Sequence, residues 1–223
     1  MWVWERWMKV KVQGRTLLIV ANLTTHGRED LRWVYRWLDA SSIHVARAIL
    51  RLFYGRIHVL SGEQATASDF VDKLAELAAD AQTEVVDVLL HLHGQERQLW
   101  FVEGPIPIST LRERIAEKRL QGKLRLLYST ACYGASHAPH FVASGFQVAS
   151  GAIGVNANGP YDYPAQLLAW ALGATYERAM KIGNNRPIAW LHDRLATRFE
   201  FKEVNSIKAL AGDKRARIST RGV

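Results

Sequence analysis

Cysteine is almost missing from this chain: Cys132 is the only one in 223 residues. A single thiol closes no intramolecular disulfide, so no disulfide framework holds the fold, and a reducing cytoplasm is the simplest setting. Long apolar runs are missing too. No window of about 18 uninterrupted apolar residues occurs, so no membrane-spanning helix is expected. The opening MWVWERWMKVKV carries Glu5, Arg6 and Lys9 in place of the apolar stretch of a secretion signal, so none is expected. Several glycine signatures are absent as well. GAIGVNANG lacks the Gly-x-Gly-x-x-Gly spacing of a dinucleotide fold, and neither a Gly-Lys-Ser/Thr phosphate loop nor a Gly-x-Ser-x-Gly elbow occurs. His137 and His140 in HAPH offer two nitrogens where a zinc site takes three or four ligands. No metal or other cofactor is expected.

Acid is the minority charge, with 21 Asp and Glu against 29 Lys and Arg, a net of +8. That balance suits acidic partners or simply a solvated basic surface. No ordered basic-aromatic motif accompanies it, so nucleic acid is not the expected partner. One stretch has no charge at all: Tyr133 to Tyr161 contains no Lys, Arg, Asp or Glu.

What is present is core material. The chain is 48% hydrophobic, enough for one substantial core, and reads as one domain over 1–212 followed by a basic, mobile tail over 213–223. TLLIVANL (16–23), RIHVL (56–60), VVDVLLHLHG (85–94), KLRLLYSTA (123–131) and FQVASGAIG (146–154) read as successive strands. Between the first two lie helical residues 29–54, interrupted by DASS. A helix capped by Ser68 precedes the third strand, and Ser109 opens another after the β excursion RQLWFVEGPIPI. PAQLLAWALGATYERAM forms a helix with Pro164 at its start. One more helix, a strand RFEFKEV and a short helical end complete the pattern. Strands alternating with helices predict a three-layer α/β fold, with a mostly parallel sheet covered on both faces.

In such sheets active sites lie beyond the carboxyl ends of the strands. Two strand ends carry chemistry: HLHG, with His93, and TACYG, with Cys132. As neighbours these strands place both side chains on one rim. An imidazole there favours the thiolate and can protonate a leaving amine. The backbone N–H of Gly94 can approach a reacting carbonyl, and that of Cys132 can supply a second oxyanion donor. His91 shares the face of His93 and is the alternative functional histidine, although its mid-strand position suits packing.

An apolar strand ending in His-Gly, followed some forty residues later by one ending in Ala-Cys, resembles the caspase-like cysteine peptidases: caspases, metacaspases, clostripain, separase and the CHAT domains of bacteria. HVLSGEQATASDFVDKLAELAADAQTEVVDVLLHLHG is similar to the approach to the histidine strand there, and VASGAIGVNANGPYDYPAQLLAWALGATYERAM to the strand, loop and helix beyond the cysteine. The resemblance covers roughly Thr16 to Ala179. It implies Cys132 as nucleophile, His93 as general acid and base, the amides of Gly94 and Cys132 as oxyanion hole, and peptide hydrolysis through a thioester. It places substrate selection near Arg28, Thr130 and Asp162. Thr130 stands where clostripain-like and metacaspase members often carry an acid for basic substrates. Asp162 would then receive a basic side chain, or Arg28 an acidic one. The uncharged stretch after Cys132 predicts an enzyme that works as an uncleaved chain, and the absence of fused sensor modules predicts control by a separate protein. Trp2 and Trp4 form a face on which such a partner could dock. The rival expectations are a catalytically silent caspase-like scaffold and a basic nucleic-acid-binding domain.

Overall fold

The computed structural model describes residues 9–120 and 122–222. The partner-docking face expected over Trp2 and Trp4 lies outside the described residues. Among those residues the chain forms an α/β fold of three layers, with an eight-stranded, mostly parallel sheet between two groups of helices.

Strand β1 (Arg15–Asn22) is buried along its whole length. Its side chains alternate between two cores, Leu17 and Ile19 facing one and Leu18 and Val20 the other. Helix α1 (Arg32–Leu50) leads to β2 (Arg56–Ser61), and α2 (Ala67–Ala79) returns to β3 (Val85–Gln95), which pairs with the opposite edge of β1. Because β3 is long, its end outruns the sheet and pairs with β4 (Gln98–Phe101), itself paired with β5 (Gly104–Pro107). The chain then steps steadily outward through α3 (Ile108–Glu117), β6 (Leu124–Ser129), α4 (Gly134–Ala143) and β7 (Val148–Ala152), with β3, β6 and β7 parallel neighbours. Helices α5 (Gly159–Ala171), α6 (Tyr176–Gly183) and α7 (Arg186–Arg198) precede β8 (Lys208–Gly212), which closes the edge antiparallel to β7. The strand order is thus β2-β1-β3-β6-β7-β8.

Right-handed crossovers put helices on opposite faces when the chain reverses its direction of travel. The core contacts follow that rule. Phe70 of α2, Leu111 of α3 and Phe141 of α4 share one core; Leu50 of α1, Trp170 of α5 and Tyr176 of α6 share the other. The reversal falls between β1 and β3, where connections leave in opposite directions and open a crevice beyond the strand ends.

Several boundaries differ from expectation. DASS does not interrupt α1, because Ser41 and Ser42 bond back to the carbonyls of Leu38 and Asp39 and the Asp39 carboxylate caps a neighbouring loop. Thr66, not Ser68, caps α2, accepting the Asp69 N–H at 2.9 Å. Helix α3 begins at Ile108 with Pro107 at its cap position and no side-chain cap, rather than at Ser109. Helix α5 starts at Gly159, with Pro160 in its first turn and Pro164 inside it. The long helix expected from Pro164 breaks at Gly173, whose φ of +86° suits a helix stop, before Thr175 caps α6. RFEFKEV is not a strand, since its first residues finish and follow α7 and only Val204 makes an isolated bridge; the edge strand is KALAG, seated against β7.

The residues expected as a free tail are packed. Ala216 and Ile218 are buried, and the Ser219 carbonyl accepts the Val10 N–H at 2.9 Å. The cause is Arg125. This fully buried guanidinium forms an ion pair with Asp87 at 2.6 Å, and its other donors go to the carbonyls of Ile218 and Thr220. A buried charge needs such partners.

Candidate active site

Residues after β1, β3, β6 and β7 surround one cavity of about 560 Å³ at the crevice. The carboxyl end of β3 contributes His91 and His93, the turn after β6 contributes Thr130 and Cys132, and the loop after β7 contributes Val155 and Asn156. Helices α1 and α7 wall it with Trp33, Trp37, Leu195 and neighbours. His93, on β3, and Cys132, three residues beyond the end of β6, therefore line one cavity at the ends of adjacent parallel strands, as the sequence predicts.

The imidazole of His93 is fixed on two sides. Its Nε2–H donates to the Leu23 carbonyl at 2.7 Å, and Tyr35 packs edge-on at 5.0 Å between ring centroids. A carbonyl only accepts, so the bond assigns the proton to Nε2 and leaves Nδ1 as the basic nitrogen. Burial lowers the pKa of His93 and the Leu23 bond opposes that shift in part. Leu23 is itself held: its N–H donates to both carboxylate oxygens of Asp39 at 2.9 and 3.0 Å. Neither Leu23 nor Asp39 is legible as a site residue in the sequence, because one acts through its backbone and the other sits in what resembles a helix break.

Cys132 lies in the two-residue turn before α4, followed by Tyr133 at a left-handed φ of 56°. The Tyr133 N–H donates to the Gly154 carbonyl at 2.9 Å, which ties the turn to the end of β7. Two glycines let α4 approach that closely. A Cβ on Gly151 would stand 2.5 Å from the Gly134 backbone. The Sγ accepts the Asn156 N–H at 3.5 Å, while the Asn156 side chain donates to the Thr130 carbonyl at 2.9 Å. Burial raises the thiol pKa, and the Asn156 bond partly offsets it. With the imidazole lowered and the thiol raised, both groups on the cavity are uncharged at neutral pH.

The two candidate oxyanion amides are also accounted for. Cys132 N–H has no backbone partner among the described residues. Gln95 and Gln98 flank the two-residue loop between β3 and β4 and must exchange its closing hydrogen bonds, so Gly94 and Leu99 are the non-bonded pair. The Gly94 N–H thus points away from β4, toward the turn that carries Cys132. Glycine is required there: a Cβ would lie 2.5 Å from the Cys132 carbonyl oxygen and 2.9 Å from Ala131 Cβ.

His91 is a wall rather than a rival. It is fully buried, packs edge-on against Tyr163, and donates Nδ1–H to Thr130 Oγ1 at 3.2 Å, because the Thr130 hydroxyl is committed to the Leu90 carbonyl. Burial, with the Lys208 charge nearby, pushes its pKa down to about 3. Of the three selection residues, Thr130 alone reaches the cavity. Asp162 lies inside α5, fully buried, in an ion pair with Lys208 at 2.5 Å and accepting the Tyr128 hydroxyl at 3.2 Å. It faces no solvent-filled space, so its expected role at a pocket floor is corrected. Arg28 is likewise engaged, bidentate to Asp30 at 2.7 and 3.1 Å and donating to the Phe199 carbonyl.

On the other side of Cys132 lies a shallower hollow of about 470 Å³ lined by Gly94, Glu96, Tyr133 and Glu203. The Tyr133 hydroxyl bonds Glu203 across it.

No protein-family model matches the chain, and no curated protein matches it. Fold and geometry alone define the class: a three-layer α/β protein with a cysteine and a histidine at adjacent strand ends around one cavity. Among the described residues no helix is long and apolar enough to cross a membrane.

Proposed function

We propose that the protein is a caspase-like cysteine peptidase in which Cys132 and His93 form the catalytic pair. The observation that supports this most is the tautomer of His93: with Nε2–H committed to Leu23, the free Nδ1 is a base on the same cavity as the thiol. In the first step Sγ attacks the peptide carbonyl carbon while Nδ1 takes the thiol proton. The oxyanion that forms is held by the N–H groups of Gly94 and Cys132. The imidazolium returns its proton to the leaving nitrogen as the C–N bond breaks, leaving a thioester and a free amine. Water, deprotonated by Nδ1, then attacks the thioester and restores thiol and imidazole.

The same reading has the chain act uncleaved. Much of the uncharged stretch after Cys132 is folded into α4 and β7, and a segment in regular structure does not enter a cleft as an extended strand.

The test is turnover of fluorogenic peptides together with covalent capture of Cys132 by electrophilic peptide ketones. Cys132→Ala and His93→Ala are each expected to lower turnover by at least about 10³-fold with unfolding midpoints near that of the parent. An inert parent protein whose thiol ignores every peptide electrophile would instead favour the silent binding scaffold.

A further inference from the structure

The charged selectors expected at Asp162 and Arg28 are both occupied, by Lys208 and Asp30 respectively. What remains beside Cys132 is a cavity whose lining contains no Asp, Glu, Lys or Arg. Three hydroxyl groups on its wall are used internally, Ser42 donating to the Asp39 carbonyl, Tyr163 to the Ser42 carbonyl and Thr130 to the Leu90 carbonyl, while the buried His91 Nε2 and His192 Nδ1 of lining residues have no hydrogen-bond partner among the described residues. The mouth is apolar as well. Trp33, Trp37, Leu195 and Phe199 all line it and are each at least half exposed, although large side chains of this kind usually seek cover.

Resting on the peptidase reading, we propose that this cavity is the specificity pocket and that it takes a large, uncharged apolar or aromatic side chain on the acyl side of the scissile bond. An ionised side chain would find no opposite charge on its wall, and an unpaired charge in apolar surroundings is strongly disfavoured. An apolar side chain gains by leaving water. The volume suits a whole side chain and part of its neighbour, within the range of small-ligand pockets. The choice between the two hollows follows from the two steps of the reaction. The acyl side stays bound through the thioester and needs an enclosed site, whereas the amine departs and suits the shallow hollow lined by Glu96 and Glu203.

The experiment measures the rate at which Cys132 is labelled by acyloxymethyl-ketone peptides that differ only in the terminal Phe, Leu, Ala, Arg or Asp. Phe and Leu probes are expected to react about 100-fold faster than Arg or Asp probes. Ser41 on the cavity wall provides a second reading: Ser41→Asp, by placing a carboxylate there, is expected to raise the Arg rate relative to Phe by about tenfold. Arg or Asp as the leading probe, or equal rates for all five, overturns this inference and leaves the peptidase reading standing. If no probe labels Cys132 while iodoacetamide does, the peptidase reading falls and this inference with it.

Discussion

Asp39 touches neither the thiol nor the imidazole, yet it holds the group that orients the imidazole. Its carboxylate accepts the Leu23 N–H, and the Leu23 carbonyl accepts His93 Nε2–H. In the proposed peptidase it is therefore a positioning residue, and Asp39→Ala is expected to lower kcat by about 10- to 100-fold with KM little changed, by analogy with the orienting partners of other histidines. A pH profile separates this from loss of fold. The proposed mechanism uses the base form of His93, and burial lowers its pKa, so the acid limb of kcat/KM should lie below the ordinary histidine value of 6.5. The Leu23 bond raises that pKa, so freeing Leu23 moves the limb to still lower pH. A limb that stays in place as kcat falls would show that Asp39 supports only the helix. His93 and Cys132 themselves were legible because each ends an apolar run one or two residues before a glycine. The ion pair of Asp162 was not, since Lys208 approaches it only in three dimensions, and neither was the Phe199 carbonyl that holds Arg28 along with the nearby Asp30.

Among the elements, α4 and β7 depend on each other through bare backbone. Gly134 and Gly151 face each other with no room for a methyl group, and Cys132 sits two residues before one of them. Gly151→Ala is expected to destabilise the protein by about 1–3 kcal/mol, as overpacking does, and to depress Cys132 labelling beyond that loss by shifting the turn. Urea unfolding at matched temperature gives the first quantity. The parallel strands were readable as short apolar runs because they are covered on both faces. The continuity of α1 was hidden by Asp39, Ser41 and Ser42, residues that end helices when their side chains lack partners. The edge strand was misplaced for a similar reason: RFEFKEV alternates more clearly than KALAG, but the open edge of β7 accepts the latter. Pairing across the sheet, absent from local pattern, decided the outcome.

For the whole molecule, the closing residues belong to the core. Deleting 213–223 removes two carbonyls that accept from Arg125, which keeps its Asp87 partner, together with the buried Ala216 and Ile218, and is expected to cost about 3–5 kcal/mol from the lost charged-donor hydrogen bonds and apolar burial. Deleting only 221–223 removes the exposed Arg221–Glu84 pair, whose loss should cost no more than about 1 kcal/mol. Thermal unfolding of the two shortened chains beside the parent distinguishes them, and equal midpoints would contradict the packed arrangement. The placement of these residues was not legible in GDKRARISTRGV, because its basic composition resembles a solvated segment and the acceptors that anchor it are backbone atoms.

The position of β8 also orders events during synthesis. Asp162 has left the ribosome well before Lys208, and until Lys208 arrives with β8 its carboxylate has no cation to share the interior. A nascent chain that already carries both His93 and Cys132 therefore still lacks the strand that closes the β7 edge of the sheet. The candidate pair is thus synthesised before the edge strand, and the sheet that carries it is complete only once residues 208–212 have emerged.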